Sequence, residues 1–327
     1  MSILITGVAG FIGTNLAQRL LDEGNEVIGL DNLCRGTKAN LHNLENHPGF
    51  SFAQVDLSDA EAYRHVLADI GKGRAITDVW HLAANSDIPA GIADSQVDLR
   101  DTFLTTLNTL SIMRELGIPT LNFASTSAVY GDLGDTLLHE DVGPLFPISN
   151  YGAMKLASEA MISAALESYL QQVFIFRFPN VIGTPATHGV ILDFMQRLQV
   201  QPACLNVLGD GTQQKSYLHV DDLVDAMIFV RRQAGERLNY LNIGPRDSGV
   251  TVRFIAETVR DLVAPAAQLR FGAGNKGWVG DVPRFLYSTD KLAKMGWKPR
   301  LGSAAAIQRA AREIAQQLSL PLAASAR

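Results

Sequence analysis

The chain has 327 residues, of which 47% are hydrophobic and 19% charged, and a net charge of -5. That length buries one large core or two closely joined ones, and the composition is that of an ordinary soluble globular protein. The acidic balance gives no basic footprint for nucleic acid or an anionic membrane surface, and no apolar run reaches the roughly 18–20 residues of a membrane span.

An apolar run, Ile3–Thr6, opens the chain, so no leader sequence is expected. Cys34 and Cys204 form no metal-type pair or disulfide framework, so a reduced, cytoplasmic protein is expected. The run leads into TGVAGFIG, where Gly7, Gly10 and Gly13 precede a helical pattern near Thr14–Glu23. A helix starting there aims its unpaired N–H groups and positive dipole end at the turn, which suits an anion. Gly7 permits the tight turn, Gly10 lets backbone approach a pyrophosphate, and Gly13 lets helix pack closely on strand. The spacing is G-x-x-G-x-x-G, not G-x-G-x-x-G, so alone it admits both a dinucleotide site and a plain turn.

The second strand, Glu26–Asp31, ends on an acid about 20 residues further on. From there a carboxylate reaches the adenosine ribose hydroxyls and repels a 2′-phosphate. This points to NAD over NADP, with Arg35 and Lys38 as the nearby cations that argue the other way. Asp56 follows the third strand, Ser51–Val55, and either accepts from the adenine amino group or caps the next helix. Helix Asp59–Ile70, strand Asp78–Leu82, helix Asp98–Leu116, strand Thr120–Ala124, helix Tyr151–Tyr169 and strand Val173–Phe178 complete an alternation. It predicts an α/β fold with a doubly wound parallel sheet of Rossmann type over residues 1–178. Residues 179–327 read as a smaller α/β substrate domain punctuated by Gly and Pro. Within 217–244, the run Leu238–Gly244 reads as a strand returning to the sheet, and Ser303–Arg327 as an Ala-rich helix.

Tyr151 and Lys155, in YGAMK, lie four apart and so share a helix face. A free phenol is a poor base at neutral pH. A neighbouring ammonium and a positively charged nicotinamide would favour its phenolate. Ser125, Thr126 and Ser127 sit at the C-terminal end of a parallel strand, where ligands bind in this architecture. A hydroxyl there can bridge the tyrosine and a substrate oxygen. Asn85, Ser86 and Asp87 follow the Asp78–Leu82 strand. They would read substrate hydroxyls, with Asp87 as a possible acid, or form a turn with a helix cap. The seven histidines show no metal-ligand spacing.

In this order TGVAGFIG, HLAA, STSAVYG, YGAMK, RFPNVIG and GDGTQQKSYLHVDD resemble the extended short-chain dehydrogenase/reductase family. More narrowly, they resemble its NAD-dependent nucleotide-sugar epimerases and dehydratases, and LDNLCRGTKANL is similar to the UDP-galactose 4-epimerases. The resemblance implies that Tyr151 is the base, that Lys155 holds the cofactor ribose, and that Thr126, with Ser125 beside it, is the catalytic hydroxyl. It implies an NAD site lined by Gly7, Gly10, Phe11, Ile12, Gly13, Asp31, Asn32, Asp56, Leu57, Leu82, Ala83 and Ala84. For a nucleotide-diphosphate sugar, a UDP-sugar first, it implies Ser127, Asn180, Gln213, Lys215, Tyr217, Trp278 and Arg284. It also implies a homodimer through the Asp98–Leu116 and Tyr151–Tyr169 helices, and structural parts for His81 and His219.

The dehydratases resemble TDEVYG at the catalytic strand end and the decarboxylases TSEVYG, whereas this chain has Thr126-Ser127-Ala128-Val129-Tyr130-Gly131. Ala128 donates no proton, so the usual elimination machinery is missing. Oxidation, rotation of the keto sugar and hydride return remain, which is 4-epimerisation. The alternatives are a dehydratase with non-standard acids and, more weakly, a non-catalytic NAD(P)-binding scaffold. Lys215 stands where epimerases often carry an arginine and lacks its bidentate fork. Trp278 stands where another phosphate-binding arginine is usual and would stack on a base or sugar, or pack. Lys276 and Arg284 are the nearby cations.

Overall fold

The computed structural model describes residues 2–134, 136–274 and 286–323. Seven strands form the main sheet: β1 (Ser2–Thr6), β2 (Glu26–Asp31), β3 (Phe50–Gln54), β4 (Ile76–His81), β5 (Thr120–Ala124), β6 (Gln172–Arg177) and β7 (Leu238–Asn242). Their spatial order is β7-β6-β5-β4-β1-β2-β3. The pairings from β6 across to β3 are all parallel. The order reverses between β1 and β4, and sheets of this kind bind ligands at the carboxyl edge of such a switch point. β1 and β5 are buried along their whole length, as strands covered on both faces are, so they read as nearly unbroken apolar runs. β7 is the strand expected to return to the sheet, and it takes the place beside β6.

Four helices matter for the site: α1 (Phe11–Asp22), α2 (Ala60–Ile70), α3 (Thr105–Leu116) and α4 (Asn150–Ser168). Leu4, Ile28, Val79 and Leu121 of the strands share one core with Leu67 of α2, Met113 of α3 and Ile162 of α4. Caps set the helix ends. Ser149 accepts from the Gly152 N–H and starts α4, and Asp59 accepts from Glu61 and Ala62 and starts α2. The single helix expected over Asp98–Leu116 is instead Ser95–Asp98, a π-helical turn Leu99–Leu104, and α3. Threonine hydroxyls explain the break: Thr105 donates back to the carbonyls of Asp101 and Thr102, and Thr106 to that of Thr102.

The chain divides into two compact units. The first is Met1–Gly131, Val142–Arg177 and Met227–Leu241; the second is Asp132–Asp141, Phe178–Ala226 and Asn242–Arg327. In the second, helices Val190–Val200, Val252–Val263 and Ser303–Gln317 bury Ile191, Phe194, Ile255, Val259 and Ile307 in a core of their own. Strand Cys204–Val207 pairs there with Gln268–Phe271, and Asn180–Ile182 with Tyr217–His219. Among the described residues no helix is long and apolar enough to cross a membrane.

Under α4 a charged cluster is closed off from water. Arg177, at the end of β6, donates to both oxygens of Glu159, at 2.6 and 3.0 Å, and to the Tyr130 hydroxyl at 3.1 Å. All three side chains are buried. Removing one member of a buried ion pair strands its partner. Glu159→Ala should therefore cost about 3–5 kcal/mol in urea unfolding. Ser125→Ala, which removes one hydroxyl donor to that carboxylate, should cost about 1 kcal/mol. Equal losses in the two variants would contradict this account.

Candidate active site

The glycine turn follows β1. Gly7 has φ +71°, and a Cβ there would stand 2.8 Å from the Ala83 nitrogen. At Gly13 a Cβ would stand 2.1 Å from the Gly7 carbonyl oxygen. Both positions are closed to a side chain, so bare backbone forms the approach to α1, and its N-cap, Gly10, supplies no side-chain cap. Asp31, at the end of β2, accepts from the Ala9 N–H at 3.0 Å and the Leu33 N–H at 2.7 Å. Its burial raises its pKa above the usual carboxylate range, against the pull of those amides. The cradle, the uncapped helix start and the adjoining acid fit a dinucleotide.

Thr6 ties β1 to β4. Its hydroxyl accepts from the Leu82 and Ala83 N–H groups at 3.2 and 3.3 Å and meets His81 Nδ1 at 2.7 Å. His81 Nε2 lies 3.1 Å from the Thr106 hydroxyl, whose own proton goes to the Thr102 carbonyl. His81 therefore donates at Nε2 and accepts at Nδ1. Burial, helped by the nearby charge of Lys155, lowers its pKa to about 3 and keeps it neutral. Buried and hydrogen-bonded on both ring nitrogens, it ties β4 to β1 and α3.

The Tyr151–Lys155 pair sits at the end of β5. Lys155 is 2% exposed; its Nζ donates to the Ala124 carbonyl at 2.6 Å and lies 4.6 Å from the Phe123 ring centre and 6.0 Å from that of Tyr151. Thr126 is hydrogen-bonded to the Tyr151 hydroxyl and accepts from the Ala128 N–H at 3.1 Å. The proton affinities differ from the expectation of a lysine that lowers the phenol. Burial pushes Tyr151 up to about 12, against the Thr126 hydrogen bond. Burial pulls Lys155 down to about 7, against Glu159. Desolvation outweighs the mutual attraction because the ammonium is committed to Ala124.

The hydroxyls at this strand end divide. Ser125 donates to Glu159 and belongs to the buried cluster rather than to Tyr151. Thr126 meets the tyrosine, and Ser127 begins the buried turn Ser127–Tyr130. Asp56 is exposed and accepts from the Ser58 N–H and hydroxyl; the helix cap is Asp59. Leu57 is buried, and its carbonyl accepts from Asn108. Asn32 accepts from the Cys34 N–H. Asp87 caps helix Ile88–Ala93 and pairs with Arg35, the cation that follows β2, at 3.1 Å.

A family model, described as the NAD dependent epimerase/dehydratase family, matches residues 3–244. The chain belongs to that family. NAD is its cofactor, and the glycine turn and Asp31 are the features of this chain that fit it. The chain is similar to UDP-glucose 4-epimerase of Mycolicibacterium smegmatis, 30% identical over 94% of this chain and 96% of the relative. UDP-glucuronate 4-epimerase of Thermodesulfobacterium geofontis is 27% identical over 91% of each. The structure of Thermus thermophilus UDP-glucose 4-epimerase with NAD superposes with a TM-score of 0.82 at 30% identity, covering 96% of this chain and 99% of the other.

In the second unit, strand pairing sets Asn180 beside Tyr217. The Tyr217 ring is buried in that unit's core. Lys215 pairs with Val250. Gln213 is buried and donates to the Leu208 carbonyl, while its Oε1 has no hydrogen-bond partner among the described residues. Trp278, Arg284 and Lys276 lie outside the described residues. Three residues of the first unit escaped the sequence reading. Glu159 stands eight after Tyr151 on the buried face of α4, a carboxylate among apolar neighbours that could have been noticed. Gly152 brings α4 so close to the Ser127–Tyr130 turn that a Cβ would stand 2.6 Å from the Ala128 carbonyl. Asp98 carries no motif at all.

Two outcomes follow. Gly152→Ala should lose about 1–3 kcal/mol in urea unfolding, from overpacking against fixed backbone; an unchanged midpoint would contradict the close approach. Lys155 has a pKa below its ordinary 10.5, so between about pH 7 and 10.5 the folded chain binds fewer protons than the unfolded one. It makes stability rise with pH across that window and fall as pH drops toward 7. Wild type should gain on Lys155→Met as unfolding is repeated from about pH 7 to pH 9, and parallel curves would refute it.

Proposed function

We propose that the chain is an isomerase, an NAD-dependent nucleotide-sugar 4-epimerase that acts through a transient 4-keto sugar, with a UDP-sugar as the first candidate substrate. The observation that carries this reading is the strand end around Tyr151. Thr126 reaches the phenol, and the position where a dehydratase keeps its acid is Ala128, whose N–H is spent on Thr126. Asp87, the acid that an elimination would have drawn on, is engaged as a helix cap and an ion pair with Arg35. The relatives named for 4-epimerisation of UDP-sugars support the same reaction class.

NAD, when bound, supplies the hydride acceptor and then the donor, so it ends each turnover as it began. Tyr151 accepts the proton of the sugar C4 hydroxyl as the carbonyl forms and returns it when the carbonyl is reduced. Thr126 orients the phenol and shares its hydrogen bond with the reacting oxygen. Lys155, anchored on Ala124, is the group that would hold the cofactor ribose. Asn180, Gln213, Lys215 and Tyr217, with Trp278 and Arg284, are the residues we assign to the nucleotide sugar, Tyr217 through packing. Exposed Leu116 on α3 and Met161 on α4 suit a homodimer through these helices.

A panel of UDP-, GDP-, CDP- and dTDP-sugars followed by NMR should show the C4 epimer with no net change in NAD. Loss of water from the sugar would instead indicate a dehydratase, and bound NAD with no turnover a scaffold. Tyr151→Phe should lower turnover by about 100-fold or more while NAD binding persists, the scale of a lost acid–base group. Full activity in that variant would remove the mechanism.

A further inference from the structure

Asp98 ends the short helix Ser95–Asp98 and is shielded completely from solvent. Asn85 donates to its Oδ1 at 2.8 Å and to the Asp87 carbonyl at 2.9 Å, while the Asn85 N–H goes to the Thr102 hydroxyl. The other oxygen, Oδ2, has no hydrogen-bond partner among the described residues. It is seated on Gly91, where a Cβ would stand 1.7 Å from it. The Gly91 carbonyl accepts from the Asn150 side chain at 2.8 Å, and Asn150 opens α4 immediately before Tyr151. A carboxylate buried with one oxygen unsatisfied is expensive to keep, and nothing in the proton transfer described so far uses it.

We propose that Asp98 is a positioning residue for Tyr151: it clasps the segment Asn85–Ala93 onto the first turn of α4 and supplies the negative field in which the phenol holds its proton. The proposal rests on the reading of Tyr151 as the group that takes and returns the proton. A phenol that binds its proton too weakly would not return it in the second half of the reaction, so a nearby negative charge has a use there. The groups around the phenol act in opposite senses. Burial and Asp98 raise its proton affinity, and the Thr126 hydrogen bond lowers it. Lys155 lies toward the ring and is committed to Ala124. Around Asp98 the ionisable neighbours are Asp87 and Asp101, which are paired with Arg35 and Arg100. Burial, Asp101 and Asp87 raise its own pKa, and Asn85 lowers it.

Asp98→Asn keeps the shape and the oxygen that Asn85 needs and removes the charge. Phenolate absorbance of the NAD-loaded protein is followed against pH, with the Tyr151→Phe titration subtracted to isolate one tyrosine. The Tyr151 midpoint should fall by on the order of one pH unit in Asp98→Asn, the scale of a lost neighbouring charge. An unchanged midpoint with native circular dichroism overturns the proposal. If Asp98→Asn does not fold, Asn150→Ala cuts the clasp at the Gly91 carbonyl and should move the midpoint in the same direction by less; no movement there also overturns it. The titration reads the phenol directly, so it decides this point even if the chain turns over none of the sugars in the panel.

Discussion

Lys155 keeps an ammonium out of water, and the first unit is arranged around that constraint. Its ammonium donates to the Ala124 carbonyl and lies over the face of Phe123, so α4 must sit deep on the end of β5. Ser149 sets where the helix starts, and Gly152 lets it come that close. The same burial that holds the lysine near neutrality presses the phenol of Tyr151 toward its protonated form and keeps His81 uncharged. In a medium of low polarity each group favours its neutral state unless a partner is placed beside it.

Two buried carboxylates flank this arrangement and are handled in opposite ways. Glu159 is fully used: Arg177 grips both oxygens and Ser125 adds a third bond. It locks β5, β6 and α4 together and holds the Ser125 hydroxyl within that lock. Asp98 is partly used, with one oxygen on Asn85 and the other against Gly91. A satisfied pair confers rigidity, whereas an unsatisfied charge leaves a field that its neighbours feel. With Ser125 held by Glu159, it is the Thr126 hydroxyl that is hydrogen-bonded to the tyrosine.

On the other side of the switch point the backbone does the work. Gly7 and Gly13 admit no side chain, and Asp31 fastens the glycine turn to the segment after β2 through the Ala9 and Leu33 amides. Thr6 and His81 then hold the ends of β1 and β4 in register. The result is a helix start without a side-chain cap beside a carboxylate, which is the chemistry a dinucleotide requires.

Much of this could be read from the residues in order. Period and punctuation located the strands and helices of the first unit, because strands buried on both faces are apolar throughout and helices between them need caps. The glycines, Asp31, Tyr151 and Lys155 were legible for the same reason: each belongs to a local pattern whose chemistry depends on spacing along one element. The ends of the helices were less so, since a cap is chosen by which side chain actually turns back on the backbone. What the tertiary structure alone decided is how groups distant in sequence share protons and charge. That Ser125 serves Glu159, that Asp87 pairs with Arg35, and that Asp98 is buried against Gly91 all come from burial and approach between separate elements. Neighbours along the chain could not reveal them, because desolvation and hydrogen-bond partnership are set by what the fold brings alongside.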